Sequence, residues 1–156
     1  MNEDFASGAC GCGAVRFALR EAPMFVNCCH CRDCQVQSGS AFVINAVIET
    51  ARVRLDAGSL AVVTMPTDSG RPHRIHRCTE CGTALWSNYG ARDAVRFVRV
   101  ATLAQRDRIV PDAHIFTRST LPWVVLPSDR PTFAAFYDMA AVWPAASLTR
   151  LQAARG

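Results

Sequence analysis

Apolar and polar side chains alternate along Ala14-Val15-Arg16-Phe17-Ala18-Leu19-Arg20, with the larger apolar groups at every second position. That is the period of a half-buried strand, so Val15, Phe17 and Leu19 are expected in a core and Arg16 and Arg20 outside it. Ala41 to Ile48 is a continuous, β-branched run suited to a buried strand. Leu60–Met65, His73–Arg77 and Val95–Leu103 are further strand candidates. Gly58, Pro66, Gly70, Pro72, Pro111, Pro122, Pro127 and Pro131 punctuate them. Two segments read as helical: a short turn over Asp33–Gln37, and Ala145–Ala154 as a terminal helix or a frayed tail. The pattern predicts a mainly β protein of two or three small antiparallel sheets, pinned where turns carry cysteines.

Those cysteines change the picture most. Seven of the eight fall into Cys10-Gly-Cys12, Cys29-His-Cys31-Arg-Asp-Cys34 and Cys78-Thr-Glu-Cys81. Sulfurs so close in sequence are poorly placed to reach separate disulfide partners, but they can converge on one ion. Zinc held at about 2.3 Å from each thiolate needs such local pairing. Cys78-Thr79-Glu80-Cys81-Gly82 has the form of a zinc knuckle, and Cys10-Gly11-Cys12-Gly13 is its shorter partner. Two pairs make one closed four-cysteine site, which reads as structural. The triplet leaves one position open, which reads as chemical.

The triplet leaves alternatives open. Cys34 falls within the short helix, and Cys29 or Cys31 near its start would have a lowered thiol pKa. His30 is the nearest candidate fourth ligand, with His73, His76 and His114 more distant. A Cys28/Cys31/Cys34 register is a second choice; otherwise Cys28 is a small buried apolar residue.

Composition narrows the setting. The chain has 156 residues, long enough for a core without disulfide staples. Its first residues, Met1-Asn2-Glu3-Asp4-Phe5, lack the basic and apolar regions of a signal peptide. Reduced, metal-binding cysteines in the cytoplasm are therefore expected. No apolar run approaches a membrane span. The formal net charge is +4, and all 17 basic residues are arginine. Seven thiolates and two zinc ions would bring that charge to about +1. The arginines are dispersed, and Arg92, Arg96, Arg99, Arg106 and Arg108 come without an aromatic ladder, so the chain does not read as a nucleic-acid binder.

The chain resembles the glutathione-dependent formaldehyde-activating (GFA) / centromere protein V family. The resemblance rests on Gly8–Phe17, on Cys29–Gln35 with Ser38-Gly39, and on Cys78–Leu85. A late block adds Pro111-Asp112-Ala113-His114-Ile115-Phe116 with Ser119 and Pro122-Trp123. It implies a β-tent zinc-binding fold with knuckle-type turns, residues 1–138 forming the zinc-binding domain and 139–156 a tail or short helix. It implies structural zinc on Cys10, Cys12, Cys78 and Cys81, and catalytic zinc on Cys29, Cys31 and Cys34. The reaction implied joins glutathione and formaldehyde into S-hydroxymethylglutathione, a carbon–sulfur lyase reaction in reverse.

The expected partners are thus a small thiol such as glutathione and a small aldehyde; oligomeric state is left open. Arg32 is expected to bind an anionic part of the substrate. His114, or His30, is expected at the substrate as a proton carrier. Trp123 fits a core position better than a substrate platform. Ala101-Thr102-Leu103-Ala104-Gln105-Arg106 departs from the family, whose members often carry glycine and paired acids there, so another thiol or electrophile is open. Two other classes stay in view. One is a different zinc-thiol enzyme such as a methionine sulfoxide reductase, for which Cys28 alone is left as nucleophile. The other is a non-catalytic binding module.

Overall fold

The computed structural model describes residues 3–156. Ten strands form two sheets. The smaller has the order β1-β2-β5, from Ala6–Ala9, Arg16–Leu19 and Val53–Ala57. The larger has seven strands in the order β10-β3-β4-β9-β8-β7-β6. These are Ala113–Ile115 (β10), Phe25–Cys29 (β3), Val43–Glu49 (β4), Val95–Arg99 (β9), Ala84–Tyr89 (β8), His73–Cys78 (β7) and Leu60–Met65 (β6). Helix α1 spans Arg32–Ser38, α2 Met139–Val142 and α3 Ala145–Arg155.

The protein is mainly β, and one sheet is larger than the sequence pattern suggests. All its pairings are antiparallel except that β10 runs parallel to β3, with His114 opposite Cys28. The alternation in β2 appears as read: Val15, Phe17 and Leu19 are buried while Arg16 and Arg20 are exposed. The Val95–Leu103 run does not remain a strand. Pairing ends at Arg99, and Val100–Thr102 turns into a single 3-10 turn.

Period-two alternation in the central strands divides the interior into two cores. Val26, Ala46, Ile48, Trp86 and Val98 face the small sheet, where they meet Phe17, Leu19 and Val53. Phe17 packs its edge on Trp86 with ring centroids 5.2 Å apart. Phe25, Val43, Val47 and Val95 point the other way, against Tyr137, Trp143 and Leu151. There Phe25 stacks on Trp143 at 5.2 Å, and Trp143 Nε1 donates to the Tyr137 hydroxyl. Helix α3 is held on this core by Leu151, by Ser147 Oγ donating to the Met24 carbonyl, and by Arg150 paired with Glu49.

The cysteine clusters fall on different sides of this division. Cys10 and Cys78 belong to the core beneath the small sheet. Cys29 and Cys34 belong to the core beneath α3.

Candidate metal centres and the cleft beside them

All eight cysteines are unpaired thiols. Cys10 and Cys12 lie in the turn from β1 to β2; Cys78 ends β7 and Cys81 lies in the turn to β8. The two turns share one pattern. The Val15 N–H donates to Cys10 Sγ at 3.2 Å, the Gly13 N–H to the Cys10 carbonyl, and the Gly82 N–H to the Cys78 carbonyl. Gly13 and Gly82 take φ of 76° and 73°, which a side chain would resist. The turns are tied together where the Gly11 N–H donates to Thr83 Oγ1 at 3.1 Å. Hydrogen bonds from the Thr83 hydroxyl and nearby N–H groups draw the Cys81 thiol down to about 5.

The four sulfurs lie within 4.8 Å of one another. Cys10 and Cys12 are 3.5 Å apart and Cys12 and Cys78 3.9 Å. Tetrahedral bonds of about 2.3 Å put neighbouring sulfurs about 3.8 Å apart, so the donor set fits a closed zinc site.

The second cluster forms where β3 runs into α1. Cys29 ends the strand, Cys31 is the helix N-cap and Cys34 lies in the first turn. Their sulfurs also lie within 4.8 Å of one another. The Cys34 N–H donates to Cys31 Sγ at 3.4 Å, the bond a serine or aspartate cap would make. Cys31 is half-buried; Cys29 and Cys34 are buried. Hydrogen bonds from the Cys29 and Cys34 thiols, with the Cys34 N–H, hold Cys31 far below the usual thiol range, whereas Cys29 is pushed far above it. Among the described residues no fourth sulfur joins these three soft donors, so an ion held there would keep a position for an exogenous ligand.

Cys28 is not part of that cluster. As the neighbour of Cys29 in a strand it projects to the opposite face. There it meets His30 and His114, with ligand atoms within 4.8 Å and all three residues buried. Cys28 Sγ lies 3.6 Å from His30 Nε2, and burial raises its thiol to about 12. His30 Nε2 and His114 Nδ1 are 3.0 Å apart and the ring centroids 5.3 Å. The two nitrogens therefore point at each other and share one hydrogen bond. Burial keeps both rings below their ordinary pKa. His114 thus turns its Nδ1 to His30.

Arg32 lies on the exposed side of α1. It borders a cleft of about 560 Å³ lined also by Gln35, Val36, Phe42, Leu121 and Trp123. Gln35 fixes the floor by donating to the carbonyls of His30 and Ser119, each at 2.9 Å. Gly39 ends α1 in the left-handed conformation (φ 67°) at the cleft edge. Trp123 is not core: it is 72% exposed on the rim.

The sequence reading missed Arg99. It ends β9 opposite Asn45 and is 9% exposed. Its charge is felt at Cys34, Cys29 and Cys31. Near it, His73 is lowered to about 4 by burial and by that same guanidinium. The available signal was a second arginine, three residues after Arg96, at the end of the strand Val95-Arg-Phe-Val-Arg99.

The sequence matches the family model described as glutathione-dependent formaldehyde-activating enzyme over residues 5–119. No curated protein matches it. Among solved structures, a Rhodobacter sphaeroides protein is similar at 19% identity and a TM-score of 0.48, covering 81% of this chain and 98% of that one.

Proposed function

Because this chain belongs to the glutathione-dependent formaldehyde-activating family, we propose that its three-thiol cluster joins a small thiol to formaldehyde or a similar aldehyde. The observation that carries the reading is the convergence of Cys29, Cys31 and Cys34 at the start of one helix, with no fourth sulfur among the described residues. The addition converts RSH and CH₂O into RSCH₂OH. The S–C bond forms as the carbonyl π bond opens, and the thiol proton ends on the new hydroxyl. Run backwards, it is a carbon–sulfur lyase reaction.

Cys29, Cys31 and Cys34 would hold a catalytic zinc, and Cys10, Cys12, Cys78 and Cys81 a structural one. Bound at the triplet, zinc supplies a Lewis-acidic position that favours a deprotonated sulfur. The protein's own part is positioning. Helix α1 presents Cys31 and Cys34 in fixed geometry, and its N-cap bond keeps Cys31 an acceptor. Arg32, which borders the cleft, would receive a carboxylate of the thiol, and glutathione carries two. Phe42 and Trp123 supply apolar walls. His114 acts from behind, by fixing His30 between Cys29 and Cys31 in the chain. Holding reactants in such register lowers the barrier mainly through proximity. Unpaired thiols of this kind suit a reducing compartment, the cytoplasm. No helix among the described residues is long and apolar enough to cross a membrane.

Exchange spectroscopy by NMR tests the reading. The zinc-loaded protein should speed interconversion of free glutathione and its formaldehyde adduct above the spontaneous rate, and Cys31→Ser should lose that gain. A wild-type protein that leaves the exchange rate unchanged would remove glutathione and formaldehyde as the pair.

A further inference from the structure

Among the described residues, Arg99 is a buried cation with no carboxylate partner. Register places Asn27 and Cys29 of β3, Asn45 of β4 and Arg99 of β9 on one face of the large sheet, because Asn27 pairs with Asn45 and Asn45 with Arg99. The Arg99 Nη1 donates to Asn45 Oδ1. No Asp or Glu among the described residues forms an ion pair with it. Burial disfavours its charge, and the sulfurs of Cys34, Cys29 and Cys31 would counter that once deprotonated around a metal. Arg77, anchored to Gln37 of α1 and to the Gly82 carbonyl, adds a like charge that Arg99 feels.

A guanidinium in this position is retained only if an anion faces it. Three thiolates around a divalent ion carry a net charge of about −1, and a fourth, anionic sulfur would raise that to about −2. A neutral fourth ligand would not. We infer that Arg99, aimed by Asn45, is the counter-charge of the three-cysteine centre and selects an anionic sulfur ligand over a neutral one at its open position. The inference rests on the metal-centre reading above. Arg99 is a positioning residue: it acts on the ligand through the charge of the centre.

Cobalt(II) in place of zinc makes this measurable without turnover, because ligand binding alters the cobalt–thiolate absorption. The protein is titrated with 2-mercaptoethanol, which binds as thiolate, and with imidazole, which binds neutral. In Arg99→Gln the thiol affinity should fall about tenfold or more, while imidazole affinity changes less than about twofold. Arg99→Lys should restore thiol binding to within about threefold of wild type. Asn45→Ala, which keeps the charge but loses its aim, should fall between them. Two cobalt ions per chain in each variant show that both centres are intact. Equal losses for thiol and imidazole in Arg99→Gln, or no loss for either, would overturn the inference and leave the metal-centre reading standing. A wild-type chain that takes up one cobalt, or shows no response to either ligand, would overturn both.

Discussion

The two cysteine clusters use the same donor atom and sit on opposite sides of one sheet, yet they are built differently. The four-cysteine cluster joins two turns far apart in sequence, and through them the small sheet to the large one. Its sulfurs satisfy one another's geometry and accept N–H bonds from their own turns. The three-cysteine cluster is local, six residues at a strand-to-helix corner that other contacts already hold. One cluster would therefore bind energy into the fold, and the other would borrow a fold made elsewhere. Ligand type does not separate structural from chemical cysteine; what each cluster connects does.

The largest expected effect breaks the comparison outright. Binding energy at a structural zinc site is folding energy, on the order of 10 kcal/mol. Cys81→Ser should abolish cooperative unfolding, as followed by thermal denaturation and circular dichroism. Cys31→Ser should unfold within a few degrees of wild type while releasing one of two zinc ions. Serine is itself a strong N-cap, so it keeps the acceptor for the Cys34 N–H and α1 persists. Equal melting temperatures for both variants, each with full zinc content, would erase the distinction.

A smaller effect probes how tightly the small sheet must close for its turn to reach the second pair. A Cβ at Gly8 would clash with the Phe17 ring, inside the core where Phe17 meets Trp86. Gly8→Ala forces that ring aside and should cost about 1–3 kcal/mol, read as a lower denaturant midpoint. Zinc content at the triplet, across the sheet, should not change.

Much of this was legible beforehand, for reasons particular to each residue. Cysteine ligands are read from spacing because a metal demands that neighbours converge, whatever the surrounding fold. Strands β2 and β6 declared themselves by alternation or by β-branched runs. Strand β3 did not, because Phe25–Cys29 is buried at every position and leaves no period to read. The sequence ranked Cys29 above Cys28 for the triplet, and strand pairing adds the physical reason, that the two project to opposite faces of β3. Arg99 was invisible for a related reason. An arginine at a strand end is ordinarily solvated, and only the central place of β9 in a seven-stranded sheet buries it. Trp123 went the other way: a large aromatic suggests core, but its segment lies along the rim of a cleft.

The smallest effect concerns what closes each core. The small sheet covers the four-cysteine side, whereas α3 covers the side of the triplet. Arg150 clasps Glu49 with two bonds, at 2.8 and 2.7 Å, and also donates to the Ala22 carbonyl. Burial raises the Glu49 pKa, but the Arg150 bonds outweigh it and the carboxyl lies below its ordinary value. A carboxyl whose folded pKa is depressed adds stability above its unfolded pKa, near 4.3. That contribution is lost as pH falls through the folded value. Glu49→Gln should therefore cost about 1 kcal/mol at pH 7, and its difference from wild type should shrink below pH 4. Hydrogen exchange should locate the loss in α3 and its partners around Phe25 and Trp143, with the four-cysteine turns protected as before. Loss of protection in both places would mean that the two cores open together, and that the sheet between the clusters transmits what the comparison takes it to separate.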